Sequence, residues 1–199
     1  MGGNELVGHL GVTAAFHVAH RVWRARFLRY RLVQPSVELR VVMSALLRIQ
    51  DGGRFLLVRN LHRRETFAPF GGVIKYHSDA MRTLDSFQFR SQDLGPGPDM
   101  ANDLRGFVPR RNLASLVSWY ERDEEREGAA ECLRRELDEE LREVNEGGLL
   151  VGHELQFRVV RTIDEGPIYP PGVPYLQFRI FTVCDLVVTE ASRGLVRAL

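Results

Sequence analysis

Cysteine is nearly absent from this chain: two in 199 residues, Cys132 and Cys184, far apart and without a CxxC or Cys/His framework. That argues against a disulfide scaffold and a zinc site, and suits a reducing, cytoplasmic setting. The six histidines add no metal-ligand spacing; only His17 and His20 stand at i, i+3. Charge of one sign is also missing. A net charge of +1 argues against a protein that coats nucleic acid. There is no long hydrophobic run. The most apolar stretch, Leu6 to Ala19, holds about 14 residues with two histidines, too short and too polar to span a bilayer. It is no secretory signal either, because the charge follows the apolar part instead of preceding it. No repeat of the 20–50-residue kind that builds solenoids is present. At 44% hydrophobic and 27% charged residues, the composition is that of a soluble globular protein with chain enough for one sizeable core.

What is present divides at Gln34-Pro35-Ser36. Before it, residues 1–36 form an arm whose Leu6, Leu10, Ala14 and Val18 recur at near-helical spacing. Arg21, Arg24, Arg26, Arg29 and Arg31 follow, interleaved with aromatics. The arm suits packing on the domain or on a second subunit; it also suits an anionic membrane surface, which would make the protein membrane-peripheral. Beyond it, Val37–Ile49 reads as a strand, Asp51-Gly52-Gly53 as a turn and Arg54–Arg59 as the return. Phe67–Tyr76 reads as the next strand. Gln92–Asp103, with Gly95-Pro96-Gly97-Pro98, reads as a surface loop, and Asn112–Glu121 as a short amphipathic helix. Leu155–Ile163 and Tyr175–Val188 read as strands around a proline-rich loop. Strands on both sides of central helices predict an α/β protein with a mixed sheet.

The richest stretch is Glu127–Glu143, EGAAECLRRELDEELRE. At roughly 100° per residue, Glu136, Glu139, Glu140 and Glu143 share an arc of about 100°, and Leu133, Leu137, Leu141 and Val144 form a second stripe. Stacked carboxylates repel unless something positive sits among them. Water and the neighbouring Arg134, Arg135 and Arg142 are one solution; a hard divalent cation with oxygen ligands is the other.

The run Arg135-Glu136-Leu137-Asp138-Glu139-Glu140 resembles the core of the Nudix box. Glu127 stands eight positions before Arg135, where the family keeps its first glutamate. Upstream, Pro69-Phe70-Gly71-Gly72-Val73 resembles the Gly-Gly segment leading into the box. There are two departures. Fifty-four residues separate Gly72 from Glu127 where the family has five, so about 49 are inserted. Arg142 replaces the terminal glycine, and the helix is expected to run on to Gly147-Gly148. With GGVIKYH, RGFVPRRNLASLVSWYERDEEREGAAECLRREL and YLQFRIFTVCDLV, the chain from about 37 to 188 resembles the SMODS-associated Nudix domain. That group is found beside cyclic-oligonucleotide synthases in bacterial anti-phage systems.

The resemblance implies an α/β/α Nudix sandwich with a mixed sheet over residues 37–199, an insertion at about 77–122 and an extra N-terminal helix. It implies Mg²⁺-dependent (or Mn²⁺-dependent) hydrolysis of a nucleotide diphosphate linkage, or a nucleotide sensor without catalysis. Glu139 and Glu140 would be the main metal ligands, Glu136 a third ligand or general base, the Gly71 carbonyl a further ligand, and Arg135 the residue that orients a glutamate. The insertion leaves Glu127 two roles, family carboxylate or charge at the helix N-terminus. Arg59, His62, Arg63 and Arg64, with Arg105, Arg110 and Arg111 from the insertion, are candidates for phosphate binding. The implied partners are a nucleotide, a functional link to a cyclic-oligonucleotide synthase, and a second copy of the chain in a homodimer.

Overall fold

One long strand carries the architecture. In a computed structural model that describes residues 36–51, 53–59, 66–92, 100–143, 155–190, 192–193 and 196, the chain order is β1 (Glu38–Asp51), β2 (Arg54–Leu56), β3 (Val58–Arg59), β4 (Phe67–Ala68), β5 (Phe70–Val73), α1 (Met81–Ser86), β6 (Arg90–Ser91), β7 (Arg105–Pro109), α2 (Leu113–Tyr120), α3 (Ala129–Glu143), β8 (Gln156–Ile168) and β9 (Leu176–Val187). The aliphatic and β-branched run of β1 is well suited to a pleated surface. Its residues Leu39, Val41, Met43, Ala45, Leu47 and Ile49 alternate onto one face and are all but inaccessible. They meet Leu113, Leu116 and Val117 of α2 and Leu133 and Leu137 of α3 in a single core. The expected N-terminal helix and the end of the box helix lie outside the described residues.

β1 pairs along one edge with β9, in parallel, from Leu39 to Arg48. β8 lies antiparallel beyond β9. The other edge is shared by three antiparallel strands: β7 along Glu38–Val42, β5 along Ser44–Leu47 and β2 along Ile49–Asp51. The sheet is therefore mixed and the fold α/β. The expected strand over Phe67–Tyr76 is divided by Pro69, which has no N–H for a ladder, and β4 pairs with β3 instead.

At Met43 one edge strand gives way to another. Its N–H donates to the Leu104 carbonyl and its carbonyl accepts from Ile74 N–H, both at 3.0 Å. Here β5 leaves and β7 arrives, opening a gap in the sheet edge. The insertion is thus not mainly loop: it contributes α1, α2 and two strands, β6 and β7, which extend the sheet.

The insertion closes at its base. Tyr76 bridges Arg126, Glu127 N–H donates to the Lys75 carbonyl at 2.9 Å, and His77 N–H donates to the Glu125 carbonyl at 2.8 Å. Arg126 seals the end of α2, giving Nε and Nη2 to the Tyr120 carbonyl at 3.0 and 2.6 Å. A helix C-terminus leaves carbonyls unpaired and carries partial negative charge, so a guanidinium suits it.

Candidate functional site

The site forms where α3 crosses the open end of β5. Ala, Leu, Arg and Glu give α3 high helix propensity, and Cys132, Leu133 and Leu137 anchor it in the core. That orientation turns Glu136 and Glu139 into a cavity of about 340 Å³. Gly71, Gly72 and Val73 form another wall, and Ser44, Leu46 and Phe181 the sheet side. Met100, Asp103 and Arg105 come from the insertion.

Gly72 is required by contact. A Cβ there would lie 1.8 Å from Glu136 Cδ, so the missing side chain is the space the glutamate fills. Gly71 has a different reason: its Cβ would meet the Ala45 carbonyl at 2.4 Å. Hydrogen-bonded and non-bonded pairs alternate along an antiparallel ladder. Ile74 donates to Met43, so Gly72–Ala45 is the next bonded pair. Gly71 and Val73 then turn their carbonyls away from β1, and the Val73 carbonyl accepts from Arg135 Nη2 at 2.9 Å.

Arg135 organises the carboxylates. Nε and Nη2 reach the two oxygens of Glu127 at 2.8 and 2.9 Å. Nη1 reaches Glu136 Oε1 at 2.7 Å and Glu139 Oε2 at 3.3 Å. Burial alone would lower the Arg135 pKa, but the bonds to Glu127 and Glu136 outweigh it and hold the guanidinium more firmly protonated than usual. Burial raises the Glu136 pKa, against the hydrogen bond and charge of Arg135. Glu127, 7% exposed, also accepts from Lys75 N–H at 3.0 Å. It sits two residues before α3 and is bonded into the arginine network.

Other sequence-derived residues scatter. Glu140 is half-buried and does not line the cavity; the Glu143 side chain is outside the described residues. His62, Arg63 and Arg64 are too, as is the Arg59 side chain, although its backbone pairs with Phe67. Arg111 is exposed and donates to Gln88 Oε1 at 2.7 Å. Its neighbour Arg110 bonds the Val37 carbonyl, beyond the end of β7 away from the cavity-lining Arg105. At about 3.3 Å per residue along β7, Arg111 is up to roughly 20 Å from Arg105. Cys132 is buried and its pKa is pushed up to about 12 by desolvation, which fits a packing role.

Asp103 was not legible beforehand; Arg105, a phosphate-binding candidate from the insertion, lines the cavity beside it. They pair at 3.1 Å, and burial pushes the Asp103 pKa up to about 6 against the pull of Arg105, Lys75 and Arg135. The local signal for Asp103 is a single carboxylate at the end of a loop-like sequence.

The donor set fits a hard cation: carboxylate oxygens of α3 facing an outward strand carbonyl, with no nitrogen or sulfur ligand among them. Among the described residues no group of three or more His, Cys, Asp or Glu is arranged to hold a metal; Arg135 Nη1 joins Glu136 to Glu139.

A mixed sheet whose glycine-ended strand faces a glutamate helix is the Nudix arrangement. Residues 38–199 match the model of the SMODS-associated NUDIX domain, and the chain belongs to that family. No curated protein and no solved structure matches it. No described helix is long and apolar enough to cross a membrane.

Proposed function

We propose that the chain is a Mg²⁺-dependent (or Mn²⁺-dependent) hydrolase of a nucleotide diphosphate linkage, acting beside a cyclic-oligonucleotide synthase in anti-phage defence. The observation that carries this reading is Glu136 and Glu139 on one cavity wall, tied by Arg135 to the backbone of the Gly-Gly strand. Glu139 would hold the ion from the cavity wall, with Glu136 and the Gly71 carbonyl beside it; the family resemblance adds Glu140, which stands off that wall. When bound, the ion neutralises phosphate charge and acidifies a coordinated water. The chain's own part is positional. Arg135 fixes Glu136 and Glu139 by charge-assisted hydrogen bonds, and Glu127 fixes Arg135. Glu136, where it is not a ligand, takes the proton of the attacking water. Gly72 leaves room for the Glu136 carboxylate beside the strand end.

The test is turnover of a nucleotide panel with Mg²⁺ by wild type and by Glu139→Gln/Glu140→Gln. Equal turnover by both removes this reading.

A second reading, nucleotide sensing without catalysis, draws on the same arginine: Glu127, Glu136 and Glu139 are all already bonded to Arg135. Tight binding by calorimetry with no product formed would favour it.

A further inference from the structure

The sheet face opposite the helices carries an ordered row of cations. Val42 pairs with Arg105 of β7 on one side and Arg179 of β9 on the other, so both flank it on the same face. Arg40 lies two residues back along β1, again on that face. Burial lowers the Arg40 pKa, and Arg105 and Arg179 lower it further against an opposing effect of Tyr175, as expected of neighbouring like charges.

The compensation is incomplete. Arg105 pairs with Asp103 and Arg179 with Glu165. Among the described residues Arg40 has neutral amide partners, donating to Gln92 Oε1 at 2.8 Å and Gln177 Oε1 at 2.7 Å. The Nε atoms of Arg105 and Arg179 are buried without a hydrogen-bond partner among the described residues. Half-exposed aromatics lie beneath the charges: Tyr175 is 5.8 Å from Arg40, and Phe181 5.4 Å from Arg179. The basic tract of residues 21–31 has the wrong sign to be the occupant.

The row is continuous with the cavity, since Arg105 and Phe181 belong to both. Ala45 pairs with Gly72 at the glutamate end. At about 3.3 Å per residue, Val42 lies roughly 10 Å from that point and Arg40 roughly 17 Å.

We propose that Arg40, Arg105 and Arg179 form a second anion subsite, so that the preferred substrate carries a further phosphate about 10–17 Å beyond its diphosphate. That describes an oligonucleotide-type polyanion, not a mononucleoside diphosphate. The inference rests on the hydrolase reading for the position of the diphosphate.

The experiment compares two non-hydrolysable probes by calorimetry with Mg²⁺: α,β-methylene-ADP, and tri-adenylate bearing the same methylene diphosphate at its 5′ end. Wild type should bind the trinucleotide at least tenfold more tightly. Arg40→Gln and Arg179→Gln, each confirmed as folded by thermal melting, should reduce that ratio to below threefold, while Arg40→Lys and Arg179→Lys retain most of it. Glu139→Gln/Glu140→Gln should weaken both probes and leave the ratio intact. Equal affinities in wild type, no binding of either probe, or a ratio that survives in both glutamine variants overturns the subsite. If the glutamate variant binds both probes like wild type while the arginine variants lose the ratio, the diphosphate position fails and the subsite stands.

Discussion

Arg135 grips Glu127 with two parallel hydrogen bonds, and Glu127 in turn bonds the backbone of Lys75. Lys75 lies before the insertion and Glu127 after it. These bonds therefore tie Arg135, Glu127 and Lys75 together across the base of the insertion, although 54 residues separate Glu127 from Gly72.

Breaking that pair should be costly. Glu127→Ala leaves a largely buried guanidinium short of its two-point partner, a loss of about 3–5 kcal/mol for a buried pair. Chemical denaturation should record a fall of that order. Arg135→Lys should lose most of it too, because an ammonium cannot reproduce the planar fork.

Gly71 and Gly72 should separate stability from chemistry. Gly72→Ala first meets the flexible Glu136 side chain, which can swing aside. The melting temperature should stay within a few degrees while nucleotide turnover is abolished. Gly71→Ala meets the Ala45 carbonyl of β1, which cannot. It should lower the melting temperature markedly.

Asp103 should give the fold an acid-side pH dependence. Its carboxyl rises from 3.8 to about 6 on folding, so the native state binds more protons than the unfolded chain between those values. Stability then falls as pH rises through that window and is level above it. Asp103→Asn has no such fall. Its stability relative to wild type should increase between pH 4 and 6 by on the order of 2 kcal/mol, read from denaturation midpoints. A flat difference would contradict the assignment.

Both thiols should be inert in the native protein. Burial pushes Cys132 up to about 12 and raises Cys184. Iodoacetamide at pH 8 should add nothing until the chain is denatured, after which mass spectrometry should find two adducts.

The parts legible in the sequence were those fixed by local pattern. The Leu133/Leu137 stripe identifies the buried side of α3, and the carboxylate spacing its cavity side. The alternating run of β1 marks the central strand. β7 was hidden because RGFVP holds a glycine and a proline in five residues. It is a strand because β1 continues past the point where β5 departs and offers an unpaired edge, which is a property of the sheet and not of the segment. Asp103 and Arg105 reach the cavity through the same exchange at Met43. Arg111 is drawn away by a local amide, Gln88, that no charge pattern reveals.

The parallel ladder between β1 and β9 joins segments separated by 137 residues, as in Arg48 and Asp185. During synthesis, the first strand leaves the ribosome long before its neighbour exists. One flank of β1 must wait, and the closing step of folding is a long-range pairing with a large loop entropy. Chains interrupted before β9 would expose that flank to intermolecular pairing, making truncated products the ones most in need of chaperone protection.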